Sequence, residues 1–494
     1  MLLVGAPMTD SRYDALSQDA TASGVGRIHF VGIGGAGMSV LAQMFHELGA
    51  EVTGSDAHES DVVSALRALG IAVSVPQHER NVTGADVVTV SSAIRDTNPE
   101  FMRAKELGLP VIHRSQALAL LMSDRRAVAV AGAHGKTTTS AMIAVSAMEC
   151  GLEPSYAIGG SVRTATGAVA GGQIGAGDVL VAEADESDGS FLNYRPYIAV
   201  VTNVEPDHLD HYGTKEAFEE AFVKFAGQVV DGGALVACGD DEGSQRLAHA
   251  RSAQGARVVT YGFGQDNTIR LTQFAQAEGA TGASFTLTWD DIPAADGVIA
   301  GGTQRIALKV PGVHNALNAS AAFGTMLLLG ATPQAAAAGL VAFLGTGRRF
   351  EERGQVDNIR VVDDYAHHPT EVAALLNAAR VSAGDGRVGV LFQPHLYSRT
   401  RIFQQEFAQA FDLADFTIIT GVYAAREDLD PAVTGHLIAD RMTAYVEVVD
   451  EKVLAAHRIA ELAEPGDLIL TVGAGDVTEL GSVILADLQG VTKA

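Results

Sequence analysis

The sequence predicts an α/β protein of three domains, and three observations predict it. An apolar run at 27–31 meets a glycine-rich turn and then an apolar helix at 38–48. A second apolar run, 127–131, meets another glycine turn and a helix that opens Lys136-Thr137-Thr138-Thr139. Beyond residue 347, further apolar runs end in polar clusters. Strand, turn and helix in that alternation is the pattern of parallel sheets covered by helices. The length of 494 residues agrees, since about 150 residues per domain makes three cores. The expected units are an N-terminal Rossmann-like domain at 25–122, a central P-loop domain at 123–346 and a C-terminal Rossmann-like α/β domain at 347–494. The central domain is expected to combine a mostly parallel sheet with an added small β-sheet.

Charge and cysteine content narrow the class. With 34 basic against 59 acidic side chains and a net charge of −25, affinity for nucleic acid or anionic membrane is disfavoured. An anionic substrate must then be held by local Arg, Lys, Mg²⁺ or helix ends. Cys150 and Cys238 are the two cysteines, which excludes a disulfide framework and a CxxC metal knuckle and suits a reducing interior. Residues 1–24, rich in Ser, Asp, Thr and Ala, are expected to be a disordered leader without the basic region of a signal peptide. No apolar run approaches the roughly 18 residues that span a bilayer. The expectation is a soluble, cytoplasmic protein.

The first domain is expected to start with the strand at 27–31, followed by Gly32, Gly34, Gly35, Gly37 and the helix from Met38. A second strand at 51–53 leads to Asp56. This is a GxGxxG fingerprint in a strand–turn–helix setting, with an acid placed to meet a ribose hydroxyl. The same glycines suit the pyrophosphate of NAD or of a UDP-sugar. A helix at 62–69, strands at 72–75 and 86–91, a helix at 99–107 and a strand at 111–112 continue the pattern. Ser91, His113 and Arg114 stand at the carboxyl ends of strands. There they either meet substrate phosphate or form a solvated loop.

The second domain opens on the stretch RAVAVAGAHGKTTTSAM. Gly132, Ala133, His134 and Gly135 turn backbone N–H groups toward an anion, and the helix N-terminus adds partial positive charge. Lys136 neutralises outer phosphate oxygens, Thr137 can hold Mg²⁺, and Thr138 follows in the first turn. The nucleotide is a triphosphate by this reading. The strict Walker pattern wants glycine where Val130 stands, so the loop is a shortened variant. An incidental lysine in an Ala/Gly turn would lack the flanking strand, the helix and the three threonines. A strand at 178–182 ends in Glu183, Asp185, Glu186 and Asp188, and one at 197–202 ends in Asn203, Glu205, Asp207, His208 and Asp210. Acids crowded beyond buried strands call for a cation. Glu183 and His208 are read as metal ligands, and Asp185, Asp188, Asp207 and Asp210 as their surroundings or surface.

Strands at 234–238, 258–261, 284–288 and 304–310 make 232–310 β-rich. The helix that follows carries Asn315 and Asn318 on one face, where they either pack the helix or read an adenine edge. A hinge is expected at 345–347, before Arg348 and Arg349. Strands at 359–362, 388–392, 416–420 and 468–472 and a helix at 371–380 build the third domain. Its polar strand ends hold Asp364, Tyr365, His367, His368, His395 and Arg399. Adjacent His367 and His368 point apart in an extended chain, which favours a substrate or nucleotide contact over zinc.

These strings together resemble the Mur ligase family. They are GIGGAGMS, AHGKTTT, EADESD, TNVEPDHLD, HNALNA, GRRFE, DDYAHHPTE and FQPHLYSRT, in that order over about 26–476. The resemblance implies a UDP-binding domain, an ATPase domain and a C-terminal domain that closes over the nucleotide. It implies an ATP-dependent ligase that joins L-alanine to the lactyl carboxylate of UDP-N-acetylmuramate through an acyl phosphate. By the same resemblance, Lys136 neutralises the β/γ oxygens, Thr137 and Glu183 hold one Mg²⁺, and His208 holds a second. Arg349 reaches the γ-phosphate, Asn315 reads adenine, and Asp364 meets the ribose. Tyr365, His367 and Arg399 surround the amino acid. The UDP-sugar contacts are Gly32, Gly34, Gly35, Gly37, Met38, Asp56, Ser91, His113 and Arg114. One departure stands out: the family often has His-Arg after the proline at 394, where this chain has His395-Leu396. Two alternatives remain: a relative that adds a preformed murein tripeptide, and a nucleotide-sensing module. A sensing module has no use for an acceptor pocket or for the string at 363–371.

Overall fold

The computed structural model describes residues 12–14, 20–164, 167–169, 171–206, 209–276, 282–295, 297–425 and 427–491. Its first sheet is parallel, in the order Ala72–Ser74, Glu51–Ser55, Arg27–Val31, Val87–Val90, Val111–His113. The chain reverses its direction of sheet growth beside Arg27–Val31, and a crevice forms outside the carboxyl end of such a strand. The helices Asp61–Ala68 and Pro99–Glu106 are capped by the Ser60 and Asn98 side chains, which accept backbone N–H groups of the first turn. The leader expectation for 1–24 is corrected where residues are described. Tyr13 is buried, Val111 N donates to Asp14 Oδ2 at 2.8 Å, and Ala22–Gly24 form a short 3₁₀ turn with Ala22 in the core. An aromatic ring and a carboxylate within reach of the edge strand Val111–His113 gain more by packing than by remaining solvated.

Among the described residues the central sheet has ten strands, the short Gly172–Gln173 lying antiparallel at one edge beside Ser155–Ala157. Ser155–Ala157, Val179–Glu183, Arg126–Ala131, Ile198–Val201, Ala234–Cys238, Val258–Gly262 and Ile269–Ala275 run parallel, neighbour to neighbour. Ala283–Trp289 and Gly302–Leu308 continue the sheet antiparallel. The added β-structure is thus continuous with the parallel sheet, and Ile292–Ala294 pairs with Gly297–Ile299 as a separate two-stranded ribbon. Helices Lys136–Glu149, Val313–Leu328 and Pro333–Ala342 cover one face. On the other, Phe191, Phe218, Phe222 and Phe225 join Phe30, Leu41 and Leu118 of the first domain in one apolar cluster. A shared core of this kind holds the first two sheets as a single frame.

The third sheet runs Glu351–Val356, Ile359–Asp364, Leu468–Val472, Val388–Phe392, Phe416–Ile419, Tyr445–Val448, with only the first strand antiparallel. Its central strands are buried end to end, as strands covered on both faces must be. Among the described residues no helix is long and apolar enough to cross a membrane.

Candidate active site

The phosphate loop begins where the buried strand Arg126–Ala131 ends. Gly135 sits at φ +82°, just before the helix Lys136–Glu149, and a Cβ there would lie 2.7 Å from Asn318 Oδ1. Glycine is therefore required both by backbone sign and by space. Asn318, one of the two candidate adenine readers, instead packs against this turn. Lys136 folds back over the loop: its Nζ donates to Gly132 O at 2.6 Å, Ala133 O at 3.2 Å and Glu186 Oε1 at 2.9 Å. Burial opposes the lysine's charge, but Glu186, Glu183 and Asp185 outweigh it, so its pKa is raised and it remains a cation. Burial in turn pushes Glu186 up to about 7 against the pull of Lys136. Glu186 is 1% exposed. The sequence marked it as one acid of four without singling it out as the lysine's partner.

Thr137 Oγ1 donates to Glu183 Oε1 at 2.9 Å, and Glu183 Oε2 accepts from Gly159 N at 2.9 Å. A Cβ on residue 159 would come within 2.8 Å of that oxygen. The donor set of a hydroxyl and a carboxylate is all hard oxygen, which fits Mg²⁺. His208 and Asp207, read as a metal ligand and its neighbour, lie outside the described residues. His134 is fixed through its backbone: its N–H donates to Asn203 Oδ1 at 3.0 Å, and its carbonyl accepts from Thr202 Oγ1 at 2.5 Å and Asn203 Nδ2 at 3.0 Å.

The C-terminal domain meets this loop through residues 346–350 and the start of the helix Pro369–Ala383. Arg348 and Phe350 both lie at positive φ, +57° and +47°. Arg348 ties the segment down, donating to Gly473 O at 2.6 Å and to Gly475 O at 3.1 Å. Arg349 faces the loop, 3.5 Å from Glu371 Oε1 and 5.4 Å over the Tyr365 ring. Burial works against its charge, and Glu371, Asp364 and Glu183 keep it. Asp364 is buried, and that pushes its pKa up to about 6. Its oxygens accept from Phe350 N at 2.7 Å and Ala366 N at 2.8 Å, so it braces the hinge as well as lining a cavity. His367 Nδ1 lies 3.0 Å from Tyr365 O, which makes Nδ1 the donor and leaves Nε2 an acceptor. Burial holds His367 neutral, with its pKa pushed down to about 3.

Two cavities flank the loop. One, of about 480 Å³, is lined by Thr138, Cys238, Tyr261, His314, Asn315 and Asp364. The other, of about 1000 Å³, brings together Gly37 and Arg114 of the first domain, Lys136, Thr137 and Glu183 of the second, and Arg349, Tyr365, His367 and Arg399 of the third. In the first domain, Arg114 Nη2 lies 3.1 Å from Asp185 Oδ2. A Cβ on Gly37 would come within 2.9 Å of Arg114 Nη1. The remaining UDP-sugar candidates are placed differently. Asp56 Oδ2 accepts from Gly34 N at 2.9 Å, Gly32 N donates to Ser55 O, and Gly35 N donates to Gly32 O at 3.1 Å, so these residues shape the glycine turn. Two candidates have buried side chains: Met38 is 3% exposed and packs in the core, because the apolar face of its helix points there. His113 is buried as a capping-box residue of Arg114–Met122, where its Nδ1 accepts from Ser115 N. Beside Ser91, Ser92 was not anticipated; its Oγ donates to Asp188 Oδ2 at 2.8 Å and so joins the first two domains.

Family models match along the chain in the same three units: "Mur ligase family, catalytic domain" at 27–126, "Mur ligase middle domain" at 130–326, and "Mur ligase, glutamate ligase domain" at 348–475. The chain belongs to the Mur ligase family. Among relatives within it, the UDP-N-acetylmuramate–L-alanine ligase of Renibacterium salmoninarum is 52% identical over 93% of this chain and 96% of its own. That of Kineococcus radiotolerans is 50% identical over 93% and 96%. A solved Mur ligase, the UDP-N-acetylmuramate–alanine ligase of Thermotoga maritima, superposes with a TM-score of 0.74 at 29% identity, over 94% of this chain and 99% of its own. A murein peptide ligase from Psychrobacter arcticus, at 24% identity and a TM-score of 0.66, shares the fold.

Proposed function

We propose that this Mur ligase joins L-alanine to the lactyl carboxylate of UDP-N-acetylmuramate, spending ATP through an acyl phosphate, as an early cytoplasmic step of peptidoglycan synthesis. The observation that carries the reading is the larger cavity, where cations from three domains face one space: Arg114, Lys136, Arg349 and Arg399. In this reading 25–122 takes the sugar nucleotide, 123–346 takes ATP, and 347–494 takes the amino acid. The relatives at about half identity, covered nearly end to end, carry UDP-N-acetylmuramate and L-alanine in their names.

A carboxylate resists amines because its leaving group would be oxide. Its oxygen attacks the γ-phosphorus, the bond to the β-phosphate oxygen breaks, and ADP leaves. The amine then adds to the acyl carbon, and phosphate leaves with the original carboxylate oxygen. Two anions must be screened and aligned for the first step, which is electrostatic work. Lys136 moves from Glu186 to the β/γ oxygens, and Arg349 meets the γ-phosphate. Thr137 and Glu183 would hold one Mg²⁺ and His208 a second, and these ions would supply charge that neutralises phosphate oxygens. Asn315 and Asp364 stand in the smaller cavity for the nucleoside end. Arg399, itself buried, pairs with the alanine carboxylate. His367, held neutral, offers Nε2 as an acceptor to an amine N–H, and the proton released goes to the departing phosphate.

The test is phosphate release by the full chain with ATP, Mg²⁺ and UDP-N-acetylmuramate, against a panel of alanine, glycine, serine and murein tripeptide. Release with alanine ahead of the others is expected. Release with tripeptide alone, or with none of them, overturns the reading.

A further inference from the structure

One side chain of the phosphate loop, His134, sits between carboxylates of the central and C-terminal domains. The His134 ring lies between two carboxylates: Nε2 is 3.3 Å from Glu205 Oε2, and Nδ1 is 3.4 Å from Glu371 Oε1. Glu205 follows the central strand Ile198–Val201, whereas Glu371 belongs to the first turn of the C-terminal helix Pro369–Ala383. Thr370 Oγ1, next to it, donates to Glu205 Oε1 at 2.8 Å. The His134 and His368 rings lie against each other with centroids 4.8 Å apart. Neither ring nitrogen is aligned for a hydrogen bond, so these are ion-pair contacts: a neutral imidazole would turn a lone pair toward one of the two carboxylates, whereas the imidazolium turns a positive N–H edge toward each. Burial alone would push the His134 pKa down, yet the two glutamates hold it at about 9. His368 is the third titratable group at the ring, and Arg349 and His367 face Glu371 from the other side.

The donor atoms of His134, Glu205 and His368 lie within 4.8 Å of one another, close enough for a divalent ion. The pair of carboxylates flanking the His134 ring argues for a proton instead. His368 Nδ1 accepts from Thr370 N at 3.4 Å, so its other nitrogen carries hydrogen, and both nitrogens of His134 already face carboxylates.

We propose that His134, as an imidazolium, is a positioning residue that fastens the phosphate loop to the C-terminal domain, so that the docked domain holds the loop in its anion-cradling shape. The backbone of the same residue is pinned to the central domain by Asn203 and Thr202. Docking therefore acts on the loop through this ring: with Glu371 in place both ring nitrogens face a carboxylate, and with it withdrawn only one does. The proposal rests on reading this loop as the ATP cradle.

Small-angle scattering of the substrate-free full chain and its ATP affinity test the proposal together. His134→Ala and His134→Gln should expand the particle and weaken ATP binding at least tenfold, with little change in affinity for the sugar nucleotide. His134→Lys, which restores a cation, should recover most of the compact profile. In the wild-type chain, raising the pH from 7 to 10 should produce the same expansion. An unchanged profile and ATP affinity in His134→Ala would overturn the proposal. So would expansion of the wild type on treatment with a zinc chelator, since a metal would then be the link. Scattering does not depend on turnover, so failure of the ligase reading leaves this result separately legible.

Discussion

Replacing Lys136 with methionine keeps the length of the side chain and removes its charge. The proposed mechanism asks Lys136 to offset charge on a phosphate while it is transferred. Loss of one preorganised donor in such a site costs about 3–4 kcal/mol, so kcat should fall roughly a thousandfold. The folded state should suffer much less, for a reason visible in the structure. Breaking a buried ion pair costs about 3–5 kcal/mol when the survivor must stay charged. Glu186, however, already titrates near 7, so in the variant it takes a proton. Near neutral pH the added cost of that protonation is then about 1 kcal/mol or less. The sign of the pH dependence follows. A carboxyl raised from 4.5 to about 7 favours the folded state while protonated, and this contribution is lost as pH rises through 7. In Lys136→Met the loss continues to higher pH. The stability gap between variant and wild type should therefore widen by about 2 kcal/mol between pH 7 and 8.5. Steady-state ADP release and urea unfolding at pH 7 and 8.5 measure both quantities. A near-normal kcat would refute the role of the lysine, and a gap that narrows with pH would refute the account of Glu186.

Three further substitutions probe the other walls of the site. Glu183→Gln keeps the bond to Gly159 N but weakens the hard-oxygen pair with Thr137; the Mg²⁺ concentration for half-maximal rate should rise at least tenfold while the KM for alanine holds, as magnesium titrations would show. Arg399→Ala should raise the KM for alanine far more than that for ATP, and the reverse ordering in initial-rate kinetics would move this arginine to the nucleotide. Gly37→Ala drives a methyl to 2.9 Å from Arg114 Nη1; the KM for UDP-N-acetylmuramate should rise several-fold, with ATP binding by calorimetry unchanged.

The parallel strands were legible because each is a short apolar run that ends in glycine or polar residues, and Arg27–Val31, Ala234–Cys238, Val388–Phe392 and Leu468–Val472 stand where the sequence places them. Helices Lys215–Gly227 and Glu242–Ala253 were not anticipated, since their charged outer faces dilute the apolar periodicity. The strand Glu351–Val356 also escaped: it is an edge strand, polar in sequence and half exposed. At the site, residues acting through type and spacing were readable, as Lys136, Thr137 and Glu183 illustrate. Residues defined by a partner far along the chain were not. Glu186 acquires its meaning from Lys136, and Ser92 from Asp188, 96 positions away. His113 shows the converse, because a histidine at a strand end reads as a ligand contact until the helix it caps is seen.

The central claim is that a carboxylate is activated by phosphate before an amine takes it. UDP-N-acetylmuramate labelled with oxygen-18 in both lactyl carboxylate oxygens tests this directly, with the released phosphate analysed by mass after one round of amide formation. The account predicts one labelled oxygen in every phosphate molecule, carried over from the acyl phosphate. Phosphate free of label, with amide formed in equal amount, would contradict it.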